Sequence, residues 1–300
     1  MNTLLYVIKR NVKMFFLDKG MFFTSLITPL ILLVLYATFL SDVYRDSFIS
    51  GMPDIFKFDE KLINSAVAAQ LVSSLLAVSC ITVAFCSNLL SVQDKSNKTL
   101  NDFTVSPVKS STLSLGYFIA TFLVTIIICF ITMAAGLMYI YIKGWYMSVG
   151  DIALMLGDVL ILSLLGTSLS SVVSFFLSTQ GQMSAVSAVI SAGYGFICGA
   201  YMPISQFSEG LRNVLSFLPF THGTSLIRNH TMHGVFEEME SSGIPSKAIT
   251  ALRDTVDCNI YIQDRLVSTN VMYIAVISSV LVFTTVYVLL NVFWKKIKNN

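Results

Sequence analysis

Charge is the scarcest property of this 300-residue chain: only 12% of its residues are Asp, Glu, Lys or Arg. A soluble domain carries about twice that share, so a single large soluble core is excluded. Cysteine is sparse and badly spaced for chemistry. Cys80, Cys86, Cys129 and Cys198 lie in apolar stretches and Cys258 stands alone in a polar one. That pattern excludes a disulfide framework, and no CxxC or Cys/His metal spacing occurs. Cys258 is left as a free thiol or as a bridge between two copies of the chain. No Gly-x-x-x-x-Gly-Lys-Ser/Thr loop is present, nor any soluble stretch large enough for a nucleotide-binding domain. The chain is therefore not expected to be an enzyme or to bind ATP, a cofactor or a metal itself. No Ser/His/Asp set or paired intramembrane carboxylates point to hydrolysis, so no catalytic residue is assigned.

What the chain has instead is lipid-soluble length. More than half of it is apolar and the mean hydropathy is +0.75. A bilayer core about 30 Å thick takes roughly 20 apolar residues in a helix. Six stretches meet that need, at about 21–40, 66–91, 112–142, 151–178, 183–202 and 270–293. The third is long enough that it must tilt, bend near Gly136 or project beyond the lipid. Trp145, Tyr146 and Trp294 sit at span ends, where amphipathic rings favour the headgroups. Residues 1–18 carry Leu4, Leu5, Ile8, Val12, Phe15 and Phe16 on one helical face and Lys9, Arg10 and Lys13 opposite. That is an amphipathic interface helix, and the run that follows is too long for a cleaved signal.

Cations set the orientation. With both termini inside, the cytoplasmic pieces hold Lys9, Arg10, Lys13, Lys19, Lys95, Lys98, Lys109, Lys295, Lys296 and Lys298. The outer pieces are rich in acids, among them Asp42, Asp54, Glu60, Glu237 and Glu240. The expected fold is an all-α membrane protein, one domain over 1–300, with both termini cytoplasmic. Pro203 to His222 is too short for two crossings and predicts a re-entrant helical hairpin after the fifth span. Thr231 to Ser268 is polar, with a break at 241–245 between two short helices.

Candidate polar sites are few. Asp158 is the one acid well inside a span; it is either a proton relay or a carboxylate paired with a serine or a neighbouring helix. Ser163, Gly166, Thr167, Ser170, Ser171 and Ser174 in the fourth span, and Ser184, Ser187, Ser191, Gly195 and Gly199 in the fifth, predict close helix packing or a lined cavity. His230, His233 and Glu237 share a helical face, which we read as solvated surface rather than a metal site.

Two motifs carry a family resemblance. The loop Asp94-Lys95-Ser96-Asn97-Lys98-Thr99-Leu100-Asn101-Asp102-Phe103-Thr104-Val105-Ser106-Pro107 resembles the cytoplasmic loop of ABC-type-2 exporter permeases. Gly199-Ala200-Tyr201-Met202-Pro203, then Leu218-Pro219-Phe220-Thr221 and Arg228, is similar to that family's pattern beyond the fifth span. Ser96 and Lys98 depart from it, standing where an acid and a glycine are common, and the insertion at 231–268 is long. On its own residues the loop predicts a short helix capped by Thr99 and ended by Pro107.

The resemblance implies a permease subunit of an ATP-driven exporter in a bacterial plasma membrane, paired with a second permease, identical or different. Two ATP-binding subunits would hold the ATP and Mg. It implies that Asp94, Lys95, Thr99, Leu100, Asp102 and Phe103, with Lys9 and Lys13, couple to the ATPase. It places Phe85, Ala192, Tyr194, Gly195 and Phe196 along the translocation path, with Tyr201 and Met202 as an outer constriction. The cargo would be amphipathic: a drug-like molecule, an antimicrobial peptide or a lipid, with multidrug or antimicrobial resistance as the outcome. An ion-driven secondary transporter or channel, and a membrane sensor of envelope stress, stay open as alternatives.

Overall fold

The computed structural model describes residues 2–36, 38, 41–42, 44–45, 59–99, 108–263 and 265–298. Helix α1 (Asn2–Leu17) and α2 (Lys19–Leu35) meet at 74°. Asp18 makes the corner: its carboxylate accepts the Met21 N–H at 3.1 Å, capping α2 and preventing one continuous rod. Next come α3 (Glu60–Ser87) and its short continuation α4 (Leu89–Ser96), then α5 (Ser110–Lys143), α6 (Val149–Phe176) and α7 (Gln180–Ile197). Beyond a 3-10 turn at Ile204–Gln206 lie α8 (Glu209–Ser216), α9 (Pro219–Ser241) and α10 (Ser246–Thr255). A two-residue ribbon, β1 (Tyr261–Ile262) against β2 (Arg265–Leu266), leads into α11 (Thr269–Lys298).

The bundle is built around α3. Its most apolar window is 83% buried, whereas that of α11 is 6% buried. Small residues permit this crowding. A Cβ on Gly166 of α6 would stand 2.7 Å from the Cys80 carbonyl of α3, so only glycine allows these backbones to approach. Ser163, Thr167, Ser170, Ser171 and Ser174 are buried beside it; the Asn88 amide donates to Ser170 and Ser171 at 3.2 and 3.3 Å. In the fourth apolar stretch the small residues thus serve packing within the protomer.

Helices lie at all six predicted apolar stretches. Four pass as membrane spans by length and composition alone, and the bent α1–α2 pair brings the number to five among the described residues. The eighteen-residue α7 is shorter than the fifth stretch predicted because Gly199, at φ +69°, turns the chain out of the helix. The Ala200 N–H then closes onto the Gly195 carbonyl at 2.8 Å. Helix α5 runs unbroken past Gly136.

The region after α7 differs most from expectation. The break at 241–245 is present with a helix on either side, but the one before it is not short. It is α9, 23 residues starting at Pro219, with most of its first half buried against α3 and α6. Cys258 is also buried and free, its thiol pushed up to about 12 by burial. An enclosed thiol of that kind is not placed to bridge two copies.

Candidate functional site

Two polar clusters sit at opposite ends of the bundle. The terminal side holds α1, α4, the start of α5 and the end of α6; the distal side holds the α5–α6 connection and α9. On the terminal side, Arg10 of α1 donates to Asp94 of α4 through two nitrogens, at 2.6 and 3.2 Å. Tyr117 of α5 donates its hydroxyl to the same carboxylate. Asp94 is 5% exposed and Arg10 21%, so water does little to screen this pair. The bond to Asp94 holds the guanidinium yet more firmly protonated. One residue on, Lys95 caps the other helix: its ammonium donates to the Ser174 carbonyl at 2.8 Å and lies over the Phe175 ring. A cation suits that position, where the last carbonyls of α6 lack partners.

Consecutive residues of α4 therefore reach three different helices. Asp94 and Lys95, predicted to couple to a partner, are engaged inside the protomer. Lys9 and Lys13 are exposed on α1. Thr99 is half-buried, and Leu100, Asp102 and Phe103 lie outside the described residues. Lys98 adopts φ +60°, the left-handed conformation that glycine takes without strain. Between α1 and the start of α5, Thr3, Leu4, Val108, Lys109, Ser111, Thr112 and Leu115 line a cleft of about 460 Å³.

The residues predicted along a translocation path separate into two sets. Phe85 and Tyr194 turn inward and are buried in the core; Tyr194 meets Phe220 edge-on. Ala192 and Phe196 are exposed on the opposite side of α7, in line with exposed Val189. Tyr201 folds back over Gly195: its hydroxyl donates to the Ser191 carbonyl at 3.3 Å and its ring meets Phe196 edge-on. A Cβ at Gly195 would collide with that ring. Met202 is half-buried in the turn that follows.

At the distal side, Arg228 is wholly enclosed. It donates to Ser74 of α3 and to the Gly199 carbonyl, both at 3.1 Å, and stands 3.5 Å from Asp257. Asp257 in turn accepts the Ile204 N–H at 2.9 Å. Burial pushes the Asp257 carboxyl up to about 6, against the opposing pull of Arg228 and of that backbone bond. Arg228 was legible through its motif, but Ser74 and Asp257 carried no sign of their roles. Asp158 pairs with neighbouring helices rather than with a serine; His233 and Glu237 are exposed as expected, and His230 and His233 also contact acids of α6.

No curated protein matches the chain. A family model described as ABC-2 family transporter protein matches residues 48–293. That match takes in the elements from α3 to all but the last turn of α11, and both clusters except Arg10, and by it the chain belongs to the ABC-2 transporter family as a membrane permease component.

Proposed function

We propose that this chain is the passage-forming subunit of an ATP-driven exporter whose motor is a separate ATP-binding protein docked on the terminal side. Arg10–Asp94 carries this reading. A partner that displaces α1 pulls on α4, and α4 is fastened through Tyr117 to α5 and through Lys95 to α6. A push from below thus reaches the α3–α6 core as rigid-body movement. Exposed Lys9 and Lys13 and the cleft at Lys109 offer the partner a basic, recessed surface. The loop 100–107 follows directly on α4, and Leu100, Asp102 and Phe103 are assigned to the same surface.

The path forms where two permeases bring their α7 helices together, with Ala192 and Phe196 toward the second copy. Tyr201, seated on Gly195, narrows its distal end. The exposed α7 face carries no acid or base, which favours an amphipathic cargo over an ion. Phe85 and Tyr194 act from behind this wall as packing. In this reading the termini are cytoplasmic.

Reconstitution tests it. Vesicles holding the permease and its co-purified ATPase should export an amphipathic fluorescent dye only with hydrolysable ATP. Transport that survives without the ATPase and stops when the ion gradient collapses would favour the secondary-transporter reading.

A further inference from the structure

Two histidines of α9 have no part in the transport reading. His230 and His233 lie one turn apart, and each takes a carboxylate from α6. His230 Nδ1 is 2.5 Å from Asp158 Oδ2, and His233 Nδ1 is 3.0 Å from Asp151 Oδ1. The order is antiparallel, so two turns of α6 are matched by one of α9. The second oxygen of Asp158 accepts the Tyr273 hydroxyl of α11 at 2.6 Å. Three helices therefore meet on one carboxylate.

The exposure pattern is graded. The Asp158 and Asp151 side chains are 0% and 5% exposed, while His230 and His233 are 14% and 48%. The acids lie inside and the imidazoles are the more accessible partners. The other charges nearby are accounted for. Glu237 stands 3.6 Å from His233 Nε2. Arg253 of α10 donates to Asn229 and lies over Phe236. On α3 the charged residues at this end are Glu60 and Lys61, with Glu60 bonded to Arg45. Lys143 at the end of α5 lies over Tyr139, and Tyr146 faces Asp59 and Glu238. Apart from Glu237, none of these is paired with either imidazole.

An enclosed carboxylate is costly unless its charge is met. Imidazole is the side chain whose charge changes between about pH 5 and 8, and a protonated donor makes a hydrogen bond roughly twice as strong as a neutral one. We propose that His230 and His233 form a proton-operated latch. Acid on the distal side clamps α9, and the α8–α9 hairpin with it, onto α6; neutral or alkaline pH loosens the hold. The passage is thereby regulated by the pH outside the motor's compartment. The latch itself needs only that solvent reach the distal end; the regulation of a passage rests on the function proposed above.

Hydrogen–deuterium exchange of the full chain in lipid nanodiscs tests it, at pH 5.5 and 7.5, with each rate divided by the intrinsic chemical rate at that pH. In the wild type, residues 226–241 should be protected about threefold or more better at pH 5.5. The ratio should fall to about one in the His230→Asn/His233→Asn double variant. A wild-type ratio of one, or a full ratio in the double variant, overturns the latch. If the double variant does not fold, His233→Asn alone serves, since that side chain is half exposed. It should lose part of the ratio, and a full ratio there overturns the role of His233 in the latch.

Discussion

Arg10 and Asp94, 84 residues apart in the chain, close a two-pronged ion pair that joins the amphipathic helix to the short helix below α3. Removing Arg10 leaves the nearly enclosed Asp94 carboxylate without this ion pair, and Asp94→Asn takes the charge out of it. Asp94→Asn or Arg10→Ala should cost about 1.5–3 kcal/mol in the stability of the terminal end. ATP-driven transport should fall about tenfold or more, while the chain still reaches the membrane. The exchange Arg10→Asp with Asp94→Arg should recover part of the transport. Dye export by vesicles, compared with melting of the purified protein, separates lost transmission from lost fold.

Lys98 holds the left-handed conformation at φ +60° immediately before Thr99. Replacing it with glycine removes a penalty of about 1 kcal/mol. Lys98→Gly should therefore melt higher than the wild type, and Lys98→Val lower. Equal melting of all three would remove the conformational argument.

The Arg228–Asp257 pair gives a pH dependence with a definite sign. The folded chain holds Asp257 with a carboxyl raised to about 6 from an ordinary 3.8. Between those values the folded state binds more proton than the unfolded one, so this group's contribution to stability falls as pH rises from about 4 to 6. Its cost is fully present above pH 6. Asp257→Asn keeps an acceptor for the Ile204 N–H but withdraws the counter-charge of the enclosed Arg228. It should lose this part of the pH profile. Asp257→Ala leaves the N–H and Arg228 unmet and should lose about 1–3 kcal/mol. Melting curves from pH 4 to 7.5 read both effects.

Gly166 tests the packing. Gly166→Leu drives a side chain at the Cys80 carbonyl and should cost about 1–3 kcal/mol or more through displaced helices. Gly157, with open space at its Cβ, should accept alanine without loss. Melting temperature and monodispersity in detergent distinguish the two positions.

The spans were readable because α3, α5, α6 and α11 are apolar over whole helices, a property each segment carries alone. Helix α9 was not readable as a single packed element. Thr221, Thr224, Ser225, Arg228 and Thr231 have the composition of a surface, and burial is tolerable because Arg228 meets Ser74 of α3, Thr231 meets Met155 of α6, Ser225 meets the Cys258 carbonyl, and Thr221 and Thr224 donate to the Leu215 and Phe220 carbonyls. The same limit hid the histidine pairs, since a polar residue's meaning depends on what another segment brings to it. Motif spacing did identify Asp94 and Arg228 as positions of interest, but not that both bind inside the protomer. For the small residues of α6, composition predicted close approach, and the Gly166–Cys80 contact supplies the reason.

The claim that a separate motor grips the terminal side is tested most directly by photocrosslinking in native membranes. A crosslinking amino acid at Lys13, exposed on α1, should capture an ATP-binding protein, with the yield changing between nucleotide-free and ATP-bound states. The same group at exposed Glu209, on the distal hairpin, should capture none. Adducts to lipid alone at Lys13, or an ATP-binding protein captured at Glu209, would contradict it.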